Sequence, residues 1–138
     1  MRSRPPVQSL LVASTAGLFG LLHSLPAAAA CLKANADSQR AQGVLTVGRA
    51  KDAAGRPERP YILRLASDAC LDAEDPDEAV KATRTIHVFP AVEKAAPEFK
   101  RLVGKPVTVR GNPFPAHTAH HHAPIVMSVG SIEPRPGR

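Results

Sequence analysis

Between Pro115 and Pro124 the chain reads Ala-His-Thr-Ala-His-His-His-Ala, which places four of its 6 histidines at positions 117, 120, 121 and 122. Neutral imidazoles ligate Zn2+, Cu2+ or Ni2+, and three of them around an open position make a competent metal site. On an extended backbone His120 and His122 point one way and His121 the other. The candidate metal ligands are therefore His117, His120 and His122, with Zn or Cu as the implied ion. A plainer alternative is a turn whose histidines hydrogen-bond locally, His120 or His122 fixing the loop backbone through a ring N–H. No Cys, Asp or Glu stands close by in sequence to complete a metal set.

Other chemistry is sparse. No G-x-S-x-G, P-loop or H-E-x-x-H occurs, so the common nucleophile, phosphate and zinc-protease devices are missing. A hydrolase working through metal-bound water would need a general base near the histidines, and the sequence identifies none. The chain therefore reads as a non-enzymatic protein. Asp72 to Glu78 holds five acids in seven positions around Pro76. Paired catalytic carboxylates need differing environments, which a run in one turn does not provide; the spacing is not that of an EF-hand loop either. His87, on a strand, reads as a satisfied surface or partly buried histidine rather than a fourth ligand.

The two cysteines, Cys31 and Cys70, form no C-x-x-C pair. In an oxidising compartment two cysteines permit one intramolecular disulfide. Closing a loop of about 40 residues stabilises by roughly 3–4 kcal/mol in the chain-entropy picture. The N-terminus points to such a compartment. Arg2 and Arg4 precede a mostly apolar run from Val7 to Leu25, then Pro26 and Ala27 to Ala30, the pattern of a cleavable signal peptide over residues 1–30. A membrane-spanning helix needs about 20 predominantly apolar residues, and Gln8, Ser9, Ser14, Gly17, Gly20, His23 and Ser24 dilute the run. The expected location is the periplasm or the exterior. A lipid anchor on Cys31 ranks below the disulfide, because Ala28 stands where acylated proteins prefer leucine.

Cleavage after Ala30 leaves 108 residues, enough for one domain, and removes two of the 18 basic residues and none of the 12 acidic ones, so the net charge becomes +4. Acids and bases alternate along the chain, which argues against a nucleic-acid footprint. With no Trp, and with Tyr61, Phe89, Phe99 and Phe114 as the remaining aromatics, the core must come from Val, Leu, Ile and Ala.

These residues imply five strands. Gln42 to Gly48 is the first, and Arg49 to Pro60 an exposed hairpin loop. Tyr61 to Leu65 is the second, with Tyr61, Leu63 and Leu65 on one face, ending at Ser67-Asp68. Thr85 to Phe89 is the third. Glu98 to Val103 shows the i, i+3, i+4 stripe of a short helix through Phe99, Leu102 and Val103, closed by Gly104 and Pro106. Pro106 to Gly111 and Pro124 to Ile132 are the fourth and fifth. The expected fold is mainly β: a small five-stranded OB-fold-like barrel over residues 31–132, with one short helix between strands 3 and 4 and a disordered tail over residues 133–138. In such a barrel the loop joining the last two strands flanks the ligand face, and here that loop carries the histidines.

Cys31-Leu32 after the leader, the strand G-V-L-T-V, Tyr61-x-Leu63-x-Leu65 running to Cys70, and G-K-P-V-T-V-R-G-N-P-F-P-A-H-T-A-H-H-H-A-P-I-V together resemble the bacterial domain of unknown function 4431 family. The resemblance covers nearly all of the chain after the leader and is most specific from Leu102 to Val129. It implies small exported or envelope proteins without established activity, a Cys31–Cys70 disulfide, and a signature loop of Phe114, Ala116, Thr118 and His120 to His122. Phe114, Thr118, His120, His121 and His122 are accordingly the residues expected to meet a ligand or partner. Ala119 stands where the family shows glycine, and the first hairpin is shorter and less aromatic. If position 119 required positive φ, alanine there would cost on the order of 1 kcal/mol. The expected role is that of a monomeric binding or accessory protein for an envelope protein or a small ligand.

Overall fold

The computed structural model describes residues 30–136; residues 1–29, where most of the expected signal peptide falls, and residues 137 and 138 lie outside that range. The described chain runs β1 (Leu32–Lys33), β2 (Gln39–Val47), β3 (Ala50–Lys51), β4 (Pro57–Glu58), β5 (Tyr61–Asp72), β6 (Val80–Pro90), α1 (Ala96–Leu102), β7 (Pro106–Pro115) and β8 (Ile125–Pro134). The five long strands close on themselves. β5 pairs with β2, β2 with β7 and β7 with β8, all antiparallel; β8 lies parallel to β6, and β6 returns antiparallel to β5. This is a closed, mixed five-stranded barrel of the expected OB-like kind. The helix sits between the third and fourth of its long strands, which become the sixth and seventh once the two-residue pieces are counted.

Period-two alternation drives the closure. Leu45, Leu63, Ile86, Val88, Val107, Val109, Ile125, Met127 and Val129 are all fully buried, and each such side chain contributes about 1.5–3 kcal/mol. In β8 the inward positions Val129 and Ile132 are three apart because the register against β7 slips between Arg110 and Gly111, leaving Gly130 as an extra residue in β8. A Cβ on Gly111 would lie 2.1 Å from the Ser128 carbonyl oxygen; a side chain there would push the strands apart. α1 carries Phe99 and Leu102 into the core, and the Tyr61 ring meets Phe99 at 5.1 Å. Val103 stays exposed because the helix ends before it. Gly104 turns the chain at φ +82°, and its N–H donates to the Leu45 carbonyl at 2.7 Å.

Strand boundaries differ from the sequence reading: β2 begins three residues earlier, at Gln39, and β6 five residues earlier, at Val80, and three further differences have clear causes. β5 does not stop at Ser67-Asp68: after four residues without partners it pairs with β6 again at Ala69↔Thr83 and Leu71↔Val80. Burial of Leu71 rewards that return, and the Cys31–Cys70 disulfide and the parallel pairing of β1 secure it. β7 continues to Pro115, so the loop after it is shorter than expected. β8 continues through Glu133 to Pro134, and the Arg135 N–H donates to the Pro106 carbonyl at 2.9 Å; the start of the expected disordered tail is thus a strand end. The acidic run 72–78 ends in an exposed 3-10 turn, Pro76–Glu78, capped by Asp75, as a solvated turn requires. No helix among the described residues is long and apolar enough to cross a membrane.

Candidate functional site

Two connections meet at one rim of the barrel. The β2–β5 connection is organised by Asp52, whose carboxylate accepts the N–H groups of Ala54 and Arg56 at 2.9 Å and pairs with the Arg56 guanidinium at 2.6 Å. The Arg56 backbone N–H, above all, holds the Asp52 carboxyl below its ordinary range. Gly55, at φ +78°, completes the turn. The result is a two-residue ladder, Ala50↔Glu58 and Lys51↔Pro57, that fixes where Glu58 stands.

The β7–β8 connection closes through the Ala116 N–H on the Pro124 carbonyl at 3.1 Å. Within it Thr118 makes a tight turn: its hydroxyl accepts the His120 N–H at 3.2 Å and its carbonyl the His121 N–H at 3.0 Å. Ala119 is not among the positive-φ residues, so alanine there carries no left-handed strain, contrary to the cost considered for a lost glycine.

The two connections are joined by Glu58. One carboxylate oxygen meets His120 Nδ1; the other meets His122 Nε2 at 2.5 Å. For both contacts to be hydrogen bonds, His120 must carry its proton on Nδ1 and His122 on Nε2. His122, then His120, hold the Glu58 carboxyl below its usual value by donating to it. His122 is largely enclosed, with a side chain 14% exposed against 63% for His120.

His117 and His121 pack instead around Phe114. His121 Nδ1 accepts the backbone N–H groups of His117 at 2.9 Å and Thr118 at 3.3 Å. The loop backbone is therefore fixed by a ring nitrogen as acceptor, and by His121 rather than by His120 or His122. His117 stacks on Phe114 with centroids 6.1 Å apart, while His121 meets that ring edge-on at 5.4 Å. His87, half-buried on β6, stacks on His122 at 5.7 Å and accepts its N–H at Nδ1 at 3.2 Å. Burial, then the neighbouring His122 and His121, pushes the His87 pKa down. Burial, then His117, does the same to His121.

Of the three expected metal ligands, the structure brings His120 and His122 together and leaves His117 with Phe114. Among the described residues no group of three or more His, Cys, Asp or Glu side chains is placed to hold a metal ion. Both ring nitrogens instead grip one carboxylate. His120 and His122 come to one side and His121 to the other through the turn at Thr118, not along the extended backbone that the alternation assumed. Glu58 was missed because it lies 62 positions before His120, inside a connection that reads as exposed. Asp52 and Gly55, which build the ladder under Glu58, were the available signal that this connection is ordered. Together Glu58, Arg59, Pro60, His87, His120 and His122 line a shallow cleft of about 360 Å³. The arrangement can hydrogen-bond and can couple the two connections mechanically. The sulfur of Cys31 is bonded to Cys70, so it is not free for acylation.

Residues 85–133 match a family described as Domain of unknown function (DUF4431). The matched stretch runs from within β6 through α1, β7 and the whole histidine loop to Glu133 in β8, but it excludes Glu58 and so is narrower than the resemblance drawn from sequence. No curated protein and no solved structure matches the chain.

Proposed function

With residues 85–133 assigned to the DUF4431 family, we propose that this protein is an exported, non-enzymatic binding or accessory module that engages a small ligand or envelope protein at the Glu58–His120–His122 rim. One observation carries the reading. The two connections that flank the ligand face of OB-type barrels, between the first and second and between the fourth and fifth long strands, are here tied to each other by one carboxylate. A ligand entering the cleft meets a preorganised rim of donors and acceptors beside the Phe114, His117 and His121 rings. Preorganisation lowers the ordering cost of binding. The test is site-specific photocrosslinking in the cell envelope from position 119, with position 77 as control. A discrete adduct at 119 that disappears in Glu58→Gln supports the rim; its absence, or an equal adduct at 77, overturns it.

A second reading is a His-loop metal protein, a Zn or Cu carrier or a metal-dependent hydrolase. It is favoured by the carboxylate itself: Glu58 fixes two ring tautomers and leaves His120 Nε2 and His122 Nδ1 unprotonated, as outer-shell carboxylates do for metal-binding imidazoles. Native mass spectrometry with metal analysis on tag-free protein separates the two readings. One equivalent of metal, lost in His120→Ala/His122→Ala, selects the metal protein; a metal-free folded monomer selects the docking rim. Export is checked by intact mass, expected to begin at Cys31 without a lipid increment.

A further inference from the structure

A second region carries a binding surface of its own, independent of the histidine rim. β2 pairs with β5 only from Val44↔Arg64 to Val47↔Tyr61, although β2 begins at Gln39. Beyond Arg64, β5 makes an excursion: residues 65–68 stand against the single residue Arg84 of β6. Arg84 props it, donating from Nε to Asp68 at 2.7 Å and from Nη1 to the Ala66 carbonyl at 3.0 Å. Among the described residues, the strand edge left without a β5 partner is Gln39 to Gln42; Gly43 already lies against the Arg64 carbonyl.

Backbone alternation identifies the groups on that edge. The Leu45 N–H and C=O both bond on the β7 side, to Lys105 and Gly104, whereas the Gly48 N–H bonds on the β5 side, to Pro60. Successive residues of a strand direct their backbone groups to opposite edges, so those of Arg40 and Gln42 face the gap. The gap is a cavity of about 330 Å³ walled by Arg40, Ala41 and Gln42 on one side and by Leu65 to Cys70 on the other, with Arg135 beside it and Ala30 and Leu32, where β1 pairs with β5, closing one end. Strand edges of this kind are templates for an incoming chain.

Charge selects the incoming chain. Arg40 lies directly across from Arg110, both exposed, and like charges in opposed positions are destabilising. Arg135 reaches the Gln42 side chain at 3.4 Å. None of these three arginines has a carboxylate partner among the described residues, and the groove's own acid, Asp68, is held by Arg84. We propose that the gap between β2 and β5 takes up an extended, acidic peptide segment of a partner protein as an added strand, its carboxylates on Arg40 and Arg135 and its alternate small apolar side chains on Ala41, Leu65 and Ala69. The chain's own residues 1–29 carry Arg2 and Arg4 and no acid, so they lack the complementary charge.

The experiment uses the full chain and a short fluorescent peptide of alternating valine and glutamate, read by anisotropy and by amide exchange at Arg40 and Gln42. Binding with new protection of those two amides is expected, weakened roughly tenfold (about 1.4 kcal/mol) by Arg40→Glu/Arg135→Glu and retained in Arg40→Lys. Both sites are exposed, and circular dichroism verifies the fold of each variant. Four results overturn the proposal: equal binding of a valine–lysine peptide, unchanged affinity in the charge-reversed variant, or protection of Arg40 and Gln42 before any peptide is added, which would assign the gap to residues 1–29 or a second copy; and tighter binding of a single-stranded oligonucleotide, lost in the same variant, which would assign the arginines to phosphates.

Discussion

The helix α1 and the histidine rim both cover parts of the barrel, and they do so by opposite physics. α1 is seven residues long and holds its place with Phe99 and Leu102, fully buried and indifferent to pH. The rim holds its place with one carboxylate and two imidazoles, of which His120 is mostly solvated. The difference teaches where stability and responsiveness are stored. Apolar burial supplies most of the folding energy and has no switch, while exposed ion pairs add little energy but change with protonation.

Perturbations should separate the two regions in order of size. Phe99→Ala should be the most damaging, about 3–5 kcal/mol in denaturant unfolding, with the rim contacts intact in the fraction that stays folded. Loss of the rim signals at the same denaturant concentration in wild type and variant would break the distinction. Replacing both Cys31 and Cys70 by Ser should cost about 2–4 kcal/mol, read the same way with and without reductant. Gly111→Ala, whose Cβ would stand 2.1 Å from the Ser128 oxygen, should cost about 1–3 kcal/mol.

Acidification should act on the rim at higher pH than on the helix, where the Arg101 guanidinium holds the Glu98 carboxyl below its ordinary value. His87 and His121 have pKa values depressed below the ordinary 6.5, so the unfolded chain takes up their protons first and stability declines as pH falls through that value toward the folded ones. Glu58 is depressed below 4.5; the stability it contributes is present above that value and is lost as pH falls through the lower, folded one. Thermal midpoints should therefore fall in two stages, and His87→Gln should flatten the upper stage. Glu58→Gln should change the midpoint least of all, yet accelerate amide exchange in residues 49–60 and 116–124 together. Acceleration in one connection alone would mean that the carboxylate does not couple them.

The barrel was legible in the sequence because its strands obey period two at Leu63, Ile86/Val88 and Val107/Val109, and because Phe99 and Leu102 mark the helix face. Strand lengths were less legible. The resumption of β5 at Ala69 depends on Thr83 and Leu71 finding partners, and Gly130 shifts the β8 alternation through a slip no local pattern reveals. The site was half legible: the clustered histidines stand in the chain, but Glu58 and His87 reach them only across the closed barrel. Likewise, nothing local to Arg40 announces that Arg110 lies beside it.

The parallel contact between β6 and β8 has a consequence for the birth of the molecule. It joins Ile86 to Ile125 and Pro90 to Val129, and β8 also covers the outer edge of β7 along its whole length. During vectorial synthesis, or passage through a translocation pore, β6 and β7 must therefore each wait with one edge unpaired until Ile125–Pro134 emerges. Non-local pairings of this kind fold slowly and leave aggregation-prone edges exposed. A nascent chain stopped at Pro124 should be a holdase client with protease-sensitive β6 and β7, and release of the next ten residues should convert it to a resistant barrel in a single step.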